Sequence, residues 1–183
     1  MVTSQKGRCQ SPSAAEPISV LPFGGDGKTG RALIVCDPGN KNLENLLRGA
    51  LTEGLRSRGW QIEIVTLMSA DWVPSTEYDF VVLAAPVYNG HAARLLLDYA
   101  DHAEGLRGKP VFLVLVGDPL STEAMIELRS HTAAAGCNIL EAIELDVDET
   151  ESNTLKMHNL EDVMRRAAER LTFVRRPIAA RTY

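Results

Sequence analysis

The sequence predicts an α/β protein with helices on both faces of a five-stranded parallel sheet of order 2-1-3-4-5. Three observations carry this. Five apolar, β-rich runs recur along the chain (Ala32–Cys36, Gln61–Leu67, Asp79–Ala85, Val111–Val116 and Asn138–Leu145), and runs apolar on both sides of the pleat are those of strands covered on both faces. Stretches of helical period stand between most of them, and alternation of this kind gives a parallel sheet. Right-handed crossovers then make 2-1-3-4-5 the simplest order, with its switch point between the first and third strands.

Residues 1–30 are rich in Ser, Pro, Gly and Lys and are expected to be a flexible extension, with Ile18–Leu21 as a short apolar patch where a short strand is possible. Gly24–Thr29 ends in Gly-Lys-Thr, but the first glycine of a phosphate loop would fall on Pro22, and the segment precedes a strand where such a loop follows one. The domain is expected over 31–176, with a tail at 177–183.

After the first strand, Asp37-Pro38-Gly39-Asn40-Lys41-Asn42 is a turn cluster. Leu43, Leu46, Leu47, Ala50, Leu51 and Leu55 then form a helical stripe that stops at Gly59. The second strand, Gln61–Leu67, leads into a loop over Met68–Glu77. The third strand is expected to break at Pro86 and restart as a helix over about Ala92–Ala103, carrying Leu95, Leu96 and Leu97. Pro110 opens the fourth strand, where a missing N–H costs no ladder bond. Ser121 is a candidate N-cap for a helix through Ala135, and Gly136 stands where a left-handed C-cap is wanted. A last helix starts near Asn159 and Asp162.

Composition sets the broad class. The 183 residues are 45% hydrophobic and 23% charged, with a net charge of -5, which fits one globular core and speaks against nucleic acid or an anionic membrane as partner. Cys9, Cys36 and Cys137 are odd in number and widely spaced, so a reducing, cytoplasmic location is expected. No apolar run of transmembrane length occurs in the sequence.

Function is expected where the loops after the first, third and fourth strands converge: Asp37–Asn42, Pro86–His91 and Gly117–Ser121. The run Pro86-Val87-Tyr88-Asn89-Gly90, followed by Leu-Leu-Asp-Tyr, resembles the Pro-x-Tyr-Asn-Gly signature of NADPH-dependent FMN reductases and quinone reductases in the flavodoxin-like superfamily. The resemblance implies a three-layer flavodoxin-like fold, bound FMN, NAD(P)H as electron donor, a quinone, flavin or similar small acceptor, and a homodimer. It implies that Pro86, Val87, Tyr88, Asn89 and Gly90 hold the isoalloxazine, with Gly39, Asn40, Lys41, Asn42, Gly117 and Asp118 completing the cofactor site.

The first loop departs from the family pattern, since Asp37–Asn42 has neither hydroxyl nor arginine for a phosphate. Gly39, Asn40 and Asn42 offer donors at a helix start and Lys41 a charge, whereas the Asp37 carboxylate repels an anion. A flavodoxin-type electron carrier is a second reading. A third is a protein that kept the fold without flavin, either an interaction module or a non-redox enzyme in which His91 works as acid and base between Asp37 and Asp118, a trio that also offers weak metal ligation. Trp60 is expected to pack under the sheet edge, and Tyr78 to stand beside a loop within reach of a ligand or partner.

Overall fold

The computed structural model describes residues 21–23, 29–37, 49, 51–67, 73–117, 122–146, 162 and 165–166. Its strands are β1 (Leu21–Phe23), β2 (Gly30–Cys36), β3 (Trp60–Thr66), β4 (Phe80–Tyr88), β5 (His91–Ala92), β6 (Pro110–Gly117) and β7 (Asn138–Asp146). Helical residues 51–56 are the described end of α1, followed by α2 (Arg94–His102) and α3 (Thr122–Ala134).

The five long strands run parallel in the order β3-β2-β4-β6-β7, which is 2-1-3-4-5 when they alone are numbered. Two short strands join these five, one where a short strand was possible and one unexpected. β1 pairs antiparallel with β3, so residues 21–23 of the stretch read as an extension form one edge of the sheet. β5 pairs antiparallel with β4.

Alternation within each strand sorts its residues to two faces. Ala32, Ile34, Ile62, Ile64, Phe80, Val82, Phe112 and Val114 form one core with Leu51 and Leu55 of α1. Trp60 belongs to it, 5.9 Å from Phe80 between ring centroids. Leu33, Val35, Val81, Leu83, Val111, Leu113 and Leu115 form the other, against Leu96, Leu97 and Tyr99 of α2 and Ala124, Met125 and Leu128 of α3. Burial on both faces is why these strands read as continuous apolar runs.

The α3 helix is followed by Gly136 at φ 78°, the left-handed geometry that glycine adopts without strain. The β3–β4 connection is non-helical over residues 73–79. There Ser75 N–H and its hydroxyl both donate to Glu104 O at 2.8 Å, and the Tyr99 hydroxyl donates to Val73 O at 2.9 Å. These bonds fix the loop over the α2 side of the sheet.

Tyr78 corrects an expectation. It is 5% exposed, and its hydroxyl donates to Glu63 Oε2 at 2.5 Å. Arg31 lies over its ring, 4.9 Å from the centroid, and bonds Glu63 at 2.7 Å and Glu77 at 2.8 Å. Burial, then the Glu63 contact, holds the Tyr78 phenol well above its usual range. Burial would raise the Glu63 carboxyl, but hydrogen bonds from Tyr78 and Arg31 outweigh it and hold it low. Tyr78 is a core residue of the amino end, not a ligand contact.

Candidate functional site

The site is built by one strand outrunning its neighbours. Pairing of β2 with β4 ends at Cys36 and Ala84, after which Asp37 N–H donates to Ala84 O at 3.1 Å. Pairing with β6 continues to Pro86 and Val116, and β4 itself continues to Tyr88.

The expected break at Pro86 is therefore displaced, and the register explains why proline is accepted. Ala84 presents its carbonyl to the β2 side, and Pro86, two residues on, faces the same way. Because β2 has already ended there, the missing N–H costs no ladder bond.

The turn comes at Asn89-Gly90, with φ of 50° and 83°. Two successive positive φ values between the paired residues Tyr88 and His91 make a two-residue type I′ hairpin. The Pro86–His91 segment is thus a strand end, a tight hairpin and a two-residue return strand, rather than a plain strand-to-helix loop.

This geometry puts Tyr88 at the tip of the overhang. Tyr88 is 44% exposed, at the end of a strand that is buried from Phe80 to Pro86, and its hydroxyl is 3.5 Å from Asp37 Oδ1. Burial first, and then the Asp37 charge and its hydrogen bond, move the Tyr88 phenol upward. Two of the expected loops thus meet through Asp37 and Tyr88. Gly117, the last residue of β6, ends the strand beside β4. Gly39, Asn40, Lys41, Asn42 and Asp118 lie outside the described residues.

His91 has a carboxylate neighbour on α3. It pairs with Tyr88 in β5, its side chain is 69% exposed, and its Nδ1 lies 3.6 Å from Glu127 Oε2 on α3. The carboxylate beside it is therefore one that the sequence analysis did not single out. Glu127 Oε2 also accepts the Ala92 N–H at 3.2 Å. Beside this contact His91, Glu123, Ile126, Glu127, Ser130 and His131 line an open groove of about 420 Å³. Among the described residues no three His, Cys, Asp or Glu side chains form a metal site, and no helix is long and apolar enough to cross a membrane.

Comparison with solved structures agrees with the architecture. An archaeal flavodoxin superposes with a TM-score of 0.58 at 12% identity, over 77% of this chain and 98% of its own. A flavone reductase reaches a TM-score of 0.61 at 12% identity, over 80% of this chain and 64% of that one. An NADH:FMN oxidoreductase in its apo form reaches 0.55 at 16% identity, over 76% and 90%. No protein-family model and no curated protein matches the sequence. The fold is flavodoxin-like, a doubly wound sheet whose switch point lies between β2 and β4.

Proposed function

We propose that the chain is an FMN-dependent NAD(P)H oxidoreductase acting on a quinone, flavin or similar small acceptor, and that it works as a homodimer. The observation that carries the reading is the exposed Tyr88 on a type I′ hairpin overhanging the switch point. The flavodoxins and the NADH:FMN oxidoreductase among its structural neighbours support the same class.

The overhang suits the ring half of a flavin. Past Pro86 the β4 strand extends beyond its pairing with β6, which puts its backbone at the edge where the polar side of an isoalloxazine would lie, and Gly90 has no side chain to keep a ligand away. Tyr88 offers an aromatic face for stacking. Asp37 repels a phosphate brought beside it, so phosphate binding falls to donors elsewhere in the 38–42 loop, with Lys41 supplying charge. When bound, flavin supplies the hydride chemistry, and the protein's part is orientation and exclusion of water.

Two measurements test this. Purified chain mixed with FMN and then freed of unbound ligand is expected to stay yellow and to oxidise NAD(P)H with a quinone acceptor. Yellow protein that turns over no NAD(P)H would assign it instead to electron carriage. Colourless protein would exclude both. The alternative reading with His91 between Asp37 and Asp118 has its own test, since His91→Ala would abolish a non-redox activity that needs this imidazole and leave flavin binding in place.

A further inference from the structure

The hairpin that carries Tyr88 is short. Only two residue pairs join β4 to β5, Val87 with Ala92 and Tyr88 with His91, and a two-stranded ribbon of that length is marginal in water. It also extends past the last pair between β4 and β6. The position of the Tyr88 ring therefore depends on what packs against the return strand, where Ala92 and Ala93 join the core, and each rotamer or loop conformation lost on binding would weaken a ligand stacked on it.

We propose that Glu127 is a positioning residue that fixes the hairpin from α3, and through it the Tyr88 ring. The inference rests on the flavin reading for what Tyr88 does, but not for what Glu127 holds. Glu127 Oε2 accepts Ala92 N–H at 3.2 Å and lies 3.6 Å from His91 Nδ1, so one carboxylate oxygen addresses both residues of the return strand. Those two residues are the cross-strand partners of Val87 and Tyr88.

The support is firm on both sides of the contact. Ala92 and Ala93 are 5% and 1% exposed, so the Ala92 amide has little access to water as a substitute acceptor, and a buried donor left unpaired is costly. Glu127 stands in the middle of α3, between Ala124 and Leu128, both 0% exposed. The helix therefore anchors the carboxylate to the core through adjacent positions. A bond from N–H to an ionised carboxylate is stronger than one to a neutral acceptor.

The experiment follows amide exchange and FMN affinity together at one pH, on the full chain. In flavin-free protein, Glu127→Ala is expected to speed exchange of the Ala92 amide by about tenfold or more, the equivalent of one lost charge-assisted bond. Amides of β6 should be unchanged, which separates loss of the clamp from general unfolding. Glu127→Gln, whose amide oxygen still accepts from Ala92, should stay within about threefold of the wild type. Glu123→Ala, one turn earlier on the groove, should exchange at Ala92 as the wild type does.

FMN affinity should fall about tenfold in Glu127→Ala and recover most of the way in Glu127→Gln. Unchanged Ala92 exchange in Glu127→Ala would overturn the proposal, as would faster exchange with undiminished FMN affinity. If the wild type binds no FMN, the flavin reading fails by itself and the exchange data alone decide the role of Glu127.

Discussion

The two ends of the sheet are built on opposite terms. At the amino end, Arg31, Glu63, Tyr78 and Asp79 satisfy one another across three strands: Arg31 N–H donates to Asp79 Oδ2 at 3.0 Å, Asp79 N–H donates back to Arg31 O at 2.8 Å, and Lys109 Nζ reaches the Thr76 and Tyr78 carbonyls. At the carboxyl end, β4 outruns β2, Tyr88 is 44% exposed, and its hydroxyl contact with Asp37 is long at 3.5 Å. The closed end invests its polar groups in stability. The open end is the carboxyl edge, where sheets of this topology commonly bind ligands and where the flavin site is proposed.

That contrast orders the expected effects of substitution. The largest belongs to the amino end. A Cβ on Gly105, at φ 81°, would lie 2.6 Å from Thr76 Cγ2 and 2.7 Å from its backbone N, so Gly105→Ala is expected to destabilise by on the order of 3 kcal/mol from overpacking and backbone strain together. Gly108 is the matched control. It has φ 75° but open space around it, and Gly108→Ala should cost about 1 kcal/mol from strain alone. Urea denaturation of the pair measures the difference.

Glu63→Gln comes between them, at about 2 kcal/mol, because it replaces the charged acceptor of both Tyr78 and Arg31 by a neutral amide. The sign with pH follows from the Glu63 carboxyl being held low. Its contribution is present above the unfolded value of about 4.3 and is lost as pH falls through the lower folded value. Acid melts should therefore converge for wild type and Glu63→Gln. Tyr78, held high, acts at the other limit: its contribution is complete below about pH 10 and is lost as pH rises through its folded value.

The smallest effects sharpen the comparison most. Glu77 shares Arg31 with Glu63 but is 71% exposed, so Glu77→Gln should change stability by less than about 0.5 kcal/mol. Tyr88→Phe removes a single long contact with Asp37 and should be as mild on the melting temperature. A large loss in Tyr88→Phe would mean that the two ends are not divided between stability and binding as described, and one in Glu77→Gln would mean that the exposed pair with Arg31 is stronger than its exposure implies.

Much of the fold was legible because double-sided burial writes itself into the chain. Leu33, Ile34 and Val35 alternate between two cores and all three must be apolar. The carboxyl-edge position of Pro86–Gly90 was legible for the same reason. The length of β4 was not, since whether Pro86 breaks a strand depends on where β2 stops, a fact of register. The Asn89-Gly90 pair did carry a readable hairpin signal, as the two residues most tolerant of positive φ in the order that a type I′ turn needs. Reading it only as the end of a strand missed β5 and the neighbour that His91 has on α3, Glu127. Glu127 and Tyr78 were not legible at all. Each is defined by a partner on another element, His91 and Ala92 for one and Glu63 for the other.

The overhanging Tyr88 hairpin is the proposed flavin-binding surface, on a scaffold stabilised elsewhere. Its most direct test is an FMN fluorescence titration of wild type and Tyr88→Ala, each paired with a melting curve. The account predicts that wild type quenches FMN saturably, and that Tyr88→Ala binds at least about tenfold more weakly, the loss of one aromatic contact, with its melting temperature little changed. Equal affinity in the two proteins, or no saturable quenching by the wild type, would contradict it.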